Sequence, residues 1–209
     1  MGKMHAEGVT LIELLVAVMV FAVVLAAGIP AFNDFIRNNR MSAAANDVVT
    51  SLHLARSEAD KRQESLTLCA ADAAEQCLAS GGLEQGWIVF VDVNDNGQRD
   101  GDDETVLLVQ APLPEQIGDR TTWADDTGRP TSPFFITFTP SGYLVESIDG
   151  AEPVANLQLC DDRGSRQASG AAASGRWIEI SPTGRPRIFS EQDQVQGSEN
   201  PLGGCPEPA

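Results

Sequence analysis

The chain has 209 residues with 14 Lys+Arg against 30 Asp+Glu, a formal net charge of −16. That length allows one domain plus an appendage, and the acidic balance argues against broad electrostatic binding to nucleic acid or anionic lipid. Aromatic residues make up only 6% of the chain, with 19 Gly and 12 Pro, which describes a loop-rich globular part rather than a densely aromatic core.

The first element is an apolar run. From Val9 to Ile29 the only charged residue is Glu13, and a helix of this length spans the hydrocarbon of a bilayer. The eight residues MGKMHAEG precede it, and no A-x-A-like cleavage site follows it, so an ordinary secretory signal does not fit. A carboxylate inside a membrane costs roughly 2.5–3.5 kcal/mol on insertion scales, so Glu13 calls for a partner or for hydration near the interface. After Pro30, whose missing amide predicts a kink, the helical period continues. Met41, Ala45, Val48, Leu52, Ala55 and Ala59 recur at steps of three and four and form one apolar face. The helix is expected to run to about Arg62.

Beyond Gln63 the period becomes strand-like. SLTLCA, GWIVFVDV (86–93), TVLLVQ (105–110), FFITFTPSGYLV (134–145), NLQLC (156–160) and RWIEISPTGRPRIF (176–189) are short runs split by turn residues. PSG at 140–142 and PTG at 182–184 signal hairpins. ADDTGRPTSP (124–133) and the low-complexity ASGAAASG (168–175) read as exposed loops. The expected fold class is α+β, a long N-terminal transmembrane and amphipathic helix packed on a β-rich head of antiparallel hairpins. Its segments are a leader over 1–8, a transmembrane helix over 9–29, an amphipathic half over 30–62, a head over 63–190 and an irregular tail over 191–209.

Four cysteines, Cys69, Cys77, Cys160 and Cys205, fit no zinc template. An even count behind a membrane-targeting start suggests two disulfides in an oxidising compartment. Three pairings are allowed. Cys69 with Cys77 and Cys160 with Cys205 is preferred, because each then ties a strand-like segment to an irregular one and the latter pins the tail.

A short leader ending in Gly8, then V-T-L-I-E, an apolar run and Pro30 resembles the class III signal of type IV pilins and type II secretion pseudopilins. The resemblance implies that a prepilin peptidase cuts between Gly8 and Val9 and methylates the new amine of Val9. Glu13 and Pro30 occupy the places of that group's glutamate and proline. Val9 departs from the usual Phe or Met at the first mature position. The implied role of Glu13 is to pair with the N-terminal amine of a neighbouring subunit as a filament grows. The helix, a Cys-containing strand, GWIVFVD-N-NG and a late GRxR are together similar to the GspH/FimT branch of minor pilins and pseudopilins.

Two motifs could carry further chemistry. In DVNDNGQRDGDD (92–103), Asp92, Asn94, Asn96, Gly97, Asp100 and Asp103 match the ligand spacing of a calcium loop. Strands rather than helices flank it, and a hairpin connection through NDNG with its remaining acids solvated explains the same letters. In GRPR (184–187), Arg185 and Arg187 face the same way on a strand, roughly 6–7 Å apart, near the phosphate spacing of a nucleic acid. The window 160–190 holds five arginines (163, 166, 176, 185, 187) against three acids. In some FimT-like minor pilins a GRxR near the C-terminus binds DNA during uptake, and carry-over touches Gly184, Arg185 and Arg187. The structural alternative is a hairpin whose glycine makes the turn.

No GxSxG, HExxH or phosphate-cradling loop is present, and His53 is the only histidine beyond the leader. The expectation is therefore a non-catalytic minor pilin, without a cofactor unless calcium is bound. Prepilin peptidase would mature it, and it would prime assembly at or near the tip of a type IV pilus. DNA-binding minor pilin and type II secretion pseudopilin are the alternatives. Its partners would be other pilins or pseudopilins and the inner membrane, with the head in the periplasm before assembly and on a surface filament after it.

Overall fold

The computed structural model describes residues 10–73, 75–118, 120–168 and 171–207, with the backbone alone at 27, 28 and 30. The chain divides into two units, Met1–Asn39 and Arg40–Ala209. One helix, α1 (Leu11–Arg62), contributes to both. It is assigned as helix through Pro30, and the expected kink there rests on a side chain outside the described set.

From Leu11 to Ala26 α1 is apolar on all sides apart from Glu13. Leu11, Ile12, Leu14, Leu15, Val16 and Val18 are all more than half exposed. This part is long and apolar enough to cross a membrane.

In the second unit the same helix has one covered face. Met41, Ala45, Val48, Leu52, Ala55 and Ala59 are all 0–1% exposed, so the period of three and four marks the buried stripe. Four of the buried helix residues are alanines (44, 45, 55, 59), which lets two sheets approach the helix backbone closely.

The first sheet has the order β3-β2-β1-β5, from Val106–Gln110, Trp87–Val91, Leu66–Ala70 and Phe135–Phe138. The second has the order β4-β6-β7-β8, from Thr122–Ala124, Asn156–Leu159, Ala172–Ile180 and Pro186–Glu191. Every pairing is antiparallel. Alternate residues point to the helix: Leu66, Leu68 and Ala70 from β1, Leu157 and Leu159 from β6, and Ile178 and Ile180 from β7 share one core with α1.

Among the described residues, polar contacts tie the second half of α1 to the β-rich head. Arg176 Nη2 donates to Ser42 Oγ at 3.2 Å, Trp87 Nε1 to Ser51 Oγ at 3.0 Å, and Arg56 Nε to the Gly142 carbonyl at 2.9 Å. Each satisfies a polar group that would otherwise be costly to bury.

The disulfides join Cys69 to Cys77 and Cys160 to Cys205. The second shapes the segment ASGAAASG, which is not an exposed loop as its composition suggests. Its second half opens β7, with Ala173, Ser174 and Gly175 buried. A Cβ at Gly175 would collide with Cys205 Sγ and stand 2.7 Å from the Leu159 carbonyl. Small residues are there because a disulfide lies on top of them. ADDTGRPTSP is also only partly open, since Ala124 ends β4 and Asp125 is buried. The tail begins with a short helix, α2 (Gln192–Val195), whose Val195 packs on Ala173, Trp177 and Phe189.

All four sheet edges are blunted. A bulge between Val89 and Phe90 interrupts the pairing of β3, and β4 has only three residues. The far side of β5 is covered where Val145 N and Val154 N donate to the carbonyls of Thr137 and Phe135. Strand β8 begins with Pro186 and carries Arg187.

Candidate functional site

The lone carboxylate of the apolar run lies in the first turn of α1. Thr10 precedes the helix, and its hydroxyl accepts from Glu13 N at 3.3 Å while its carbonyl accepts from Leu14 N at 3.2 Å. T-x-x-E at a helix start is the capping-box pattern, and T-L-I-E carries it as a signal separate from the apolar run. An anion here also faces the positive end of the helix dipole. Glu13 is exposed and available to a group from outside the chain. Gly8 and Val9 lie outside the described residues.

The GRPR segment is built around its glycine. Gly184 sits at φ 70°, and its amide donates to the Ser181 carbonyl at 2.8 Å to close the turn between β7 and β8. A second turn, closed by Gly142 N to the Thr139 carbonyl at 2.7 Å, packs against it. Leu144 N donates to the Pro182 carbonyl at 3.1 Å, and a Cβ on Gly184 would collide with the Gly142 carbonyl. That same carbonyl accepts from Arg56 of α1. Two turns from different sheets therefore meet at glycines and are fastened to the helix by one guanidinium.

Arg185 and Arg187 are exposed. Arg187 lies opposite Glu179 in the register of β7 and β8, with its guanidinium 5.4 Å from the Phe189 ring centroid. Phe189 stacks on Trp177 at 4.2 Å, and Trp177 Nε1 donates to Asn156 Oδ1 at 3.0 Å. The ladder gives Arg187 a cation–π partner within the fold.

Two of the five arginines counted in the sequence window are not on the surface. Arg163 and Arg176 are 6% and 7% exposed. Arg163 Nη2 lies 2.6 Å from Asp161 Oδ2, and Arg176 donates to the Ala173 and Gly175 carbonyls at 2.8 and 2.7 Å. Burial lowers the Arg176 pKa, and neighbouring Arg163 adds to this while Asp161 opposes it. Sequence spacing places these residues near GRPR but carries no information about burial.

The acidic loop 92–104 folds on its own backbone. Asp92 is buried, accepting from Gly97 N at 2.9 Å, Asn96 N at 3.1 Å and Thr67 Oγ1 at 2.7 Å. Glu104, also buried, accepts from Asp100 N at 2.7 Å and Val93 N at 3.2 Å. Asp100 accepts from the side-chain amides of Asn94 and Asn96, which together hold its carboxyl below the usual range. Among the described residues no three His, Cys, Asp or Glu side chains gather as a metal cluster. Asp92, Asn94, Asn96 and Asp100 instead serve the turn.

No curated protein matches the chain. Among solved structures, the type IV minor pilin FimU of Pseudomonas aeruginosa is 18% identical, covering 74% of this chain and 92% of its own, with a TM-score of 0.45. The minor pseudopilin EpsH of the Vibrio cholerae Type 2 Secretion System is 12% identical, covering 72% of this chain and 97% of its own, with a TM-score of 0.42. Residues 3–29 match the prokaryotic N-terminal methylation motif. Residues 44–184, most of the head and the helix face it packs on, match the family described as Type II transport protein GspH. Members of that group are structural rather than catalytic, and with so much of its length matched the chain belongs to the GspH family of pilin-like and pseudopilin-like proteins.

Proposed function

We propose that the chain is a minor pilin that primes assembly at or near the tip of a type IV pilus. In this reading prepilin peptidase cuts between Gly8 and Val9 and methylates Val9. The residues up to 29 hold the chain in the inner membrane with its head in the periplasm. Glu13 then pairs with the N-terminal amine of a neighbouring subunit. The observation that carries the reading is the exposed apolar first part of α1 with a single carboxylate in its opening turn. A surface of that kind wants lipid or other helices, and its one anion wants a cation. The blunted sheet edges point the same way, since they leave the helix as the natural assembly element.

Incorporation into sheared filaments tests it. Glu13→Ala is expected to insert into the membrane normally yet drop out of filaments, while Gly8→Leu is expected to block maturation. Wild-type levels of the Glu13 variant in filaments, or an unchanged mature mass for the Gly8 variant, would refute the respective step.

The description of the matching family favours a second reading, a pseudopilin of a type II secretion system. Deleting the gene and scoring pilus-dependent motility against export of secreted enzymes separates the two. The DNA-binding alternative is the weaker one. Burial of Arg163 and Arg176 leaves Arg166, Arg185 and Arg187 to carry it, against a chain of −16. Salt-sensitive DNA retention by the protein, lost in Arg185→Ala/Arg187→Ala, would restore it.

A further inference from the structure

A groove runs along the segment 144–146, beside the paired glycine turns. Two depressions of about 310 and 630 Å³ share Leu144, Val145, Glu146 and Pro182 as lining, so they form one surface on either side of that segment. Its floor is apolar: Leu144 and Val145 are half-buried, Pro153 is buried, and Ile180 is 2% exposed. Its rim is acidic, with Asp126, Glu146 and Glu152 all exposed. Tyr143, the only tyrosine of the chain, stands 54% exposed at one end. Among the described residues no lysine or arginine lines either depression.

We propose that this groove docks a short basic segment of a partner protein, one in which an apolar side chain is flanked by lysine or arginine. The apolar side chain would lie against Leu144, Val145 and Pro182. Its neighbours would reach Glu146 and Glu152, with one cation over the face of Tyr143. Asp125 also lines the groove but is already committed. Burial pushes its carboxyl up, but donation from Arg129 N and from the amide and hydroxyl of Thr127 more than offsets this and holds it below the usual range. A nucleic acid or other polyanion is excluded by the three exposed carboxylates. Charge alone cannot select a partner, because a chain of net charge −16 attracts bases at more than one place. The apolar floor supplies the selection, and screening at physiological salt confines the attraction to charges within about 8 Å.

The test uses the full chain in phosphatidylcholine nanodiscs, which give a basic peptide no anionic lipid. The probe is the peptide acetyl-Lys-Leu-Lys-Val-Lys-amide with photo-leucine in place of leucine. One comparison peptide has serine for both apolar residues, and another has glutamate for every lysine. The lysine–leucine peptide is expected to bind about tenfold more tightly than the serine one, roughly the worth of one well-buried apolar side chain. It should cross-link to residues 144–147 or 180–182. Glu146→Lys/Glu152→Lys should weaken binding about tenfold, and Asp102→Lys/Asp103→Lys, on the separate acidic turn, should leave it unchanged. Equal binding of the serine peptide, equal weakening by both double variants, or cross-links mapping elsewhere would overturn the proposal. All four substituted acids are exposed, so folding is not at issue. None of these outcomes bears on filament incorporation through Glu13.

Discussion

The two parts of α1 obey opposite rules. From Leu11 to Ala26 the helix is apolar apart from Glu13 and exposed, while residues 41–59 show one apolar stripe that is wholly covered. The same secondary structure thus serves two solvents. The second part finds its apolar partner within its own chain, and its sequence reads as an amphipathic period. The first part is exposed, and its sequence reads as an apolar run broken only by Glu13. Stability of the head should therefore be written in the second part, and association in the first.

The comparison can be sharpened by substitutions that move one property and leave the other. The largest effect on stability is expected from Cys205→Ser. It opens a loop with a sequence separation of 45, and the chain-entropy estimate gives a loss of about 4 kcal/mol. Cys77→Ser, opening a separation of 8, should cost about 2.5 kcal/mol by the same estimate. Chemical denaturation of each variant measures the difference. Leu52→Ala, at a fully buried residue of the second part, is expected to cost about 3 kcal/mol, between the two disulfides. Val16→Ala in the first part, more than half exposed, should leave the denaturation midpoint of the head unchanged. A comparable loss at both positions would break the division of labour. Among the destabilising substitutions the smallest effect is assigned to Arg56→Ala, about 1.5 kcal/mol for one hydrogen bond from a charged group. Amide exchange at Gly142 and Gly184 should speed up more than at β1.

The helix stripe, most of the strands and both glycine turns were legible in the sequence, because each is a local pattern of period or turn chemistry. Burial of Arg176 was not, since its partner Ser42 lies 134 residues away. Nor was the strand opening at Ala172, where Ala, Ser and Gly spell low complexity until Cys205 is set above Gly175. Strand β4 has only three residues, Thr122–Ala124, too short to show a period. The groove beside Tyr143 was invisible for the same reason as the arginines. Its acids come from three separated segments that only the tertiary fold brings to one rim.

The Cys160–Cys205 bond also alters how the head would respond to being pulled. Tension applied between the start of α1 and the C-terminal end runs along the chain to Cys160 and crosses the disulfide to Cys205. The covalent shortcut leaves β7, β8 and α2 in a closed side loop that carries no backbone tension. The hairpin bearing Arg185 and Arg187 would keep its shape while the rest of the head is under tension.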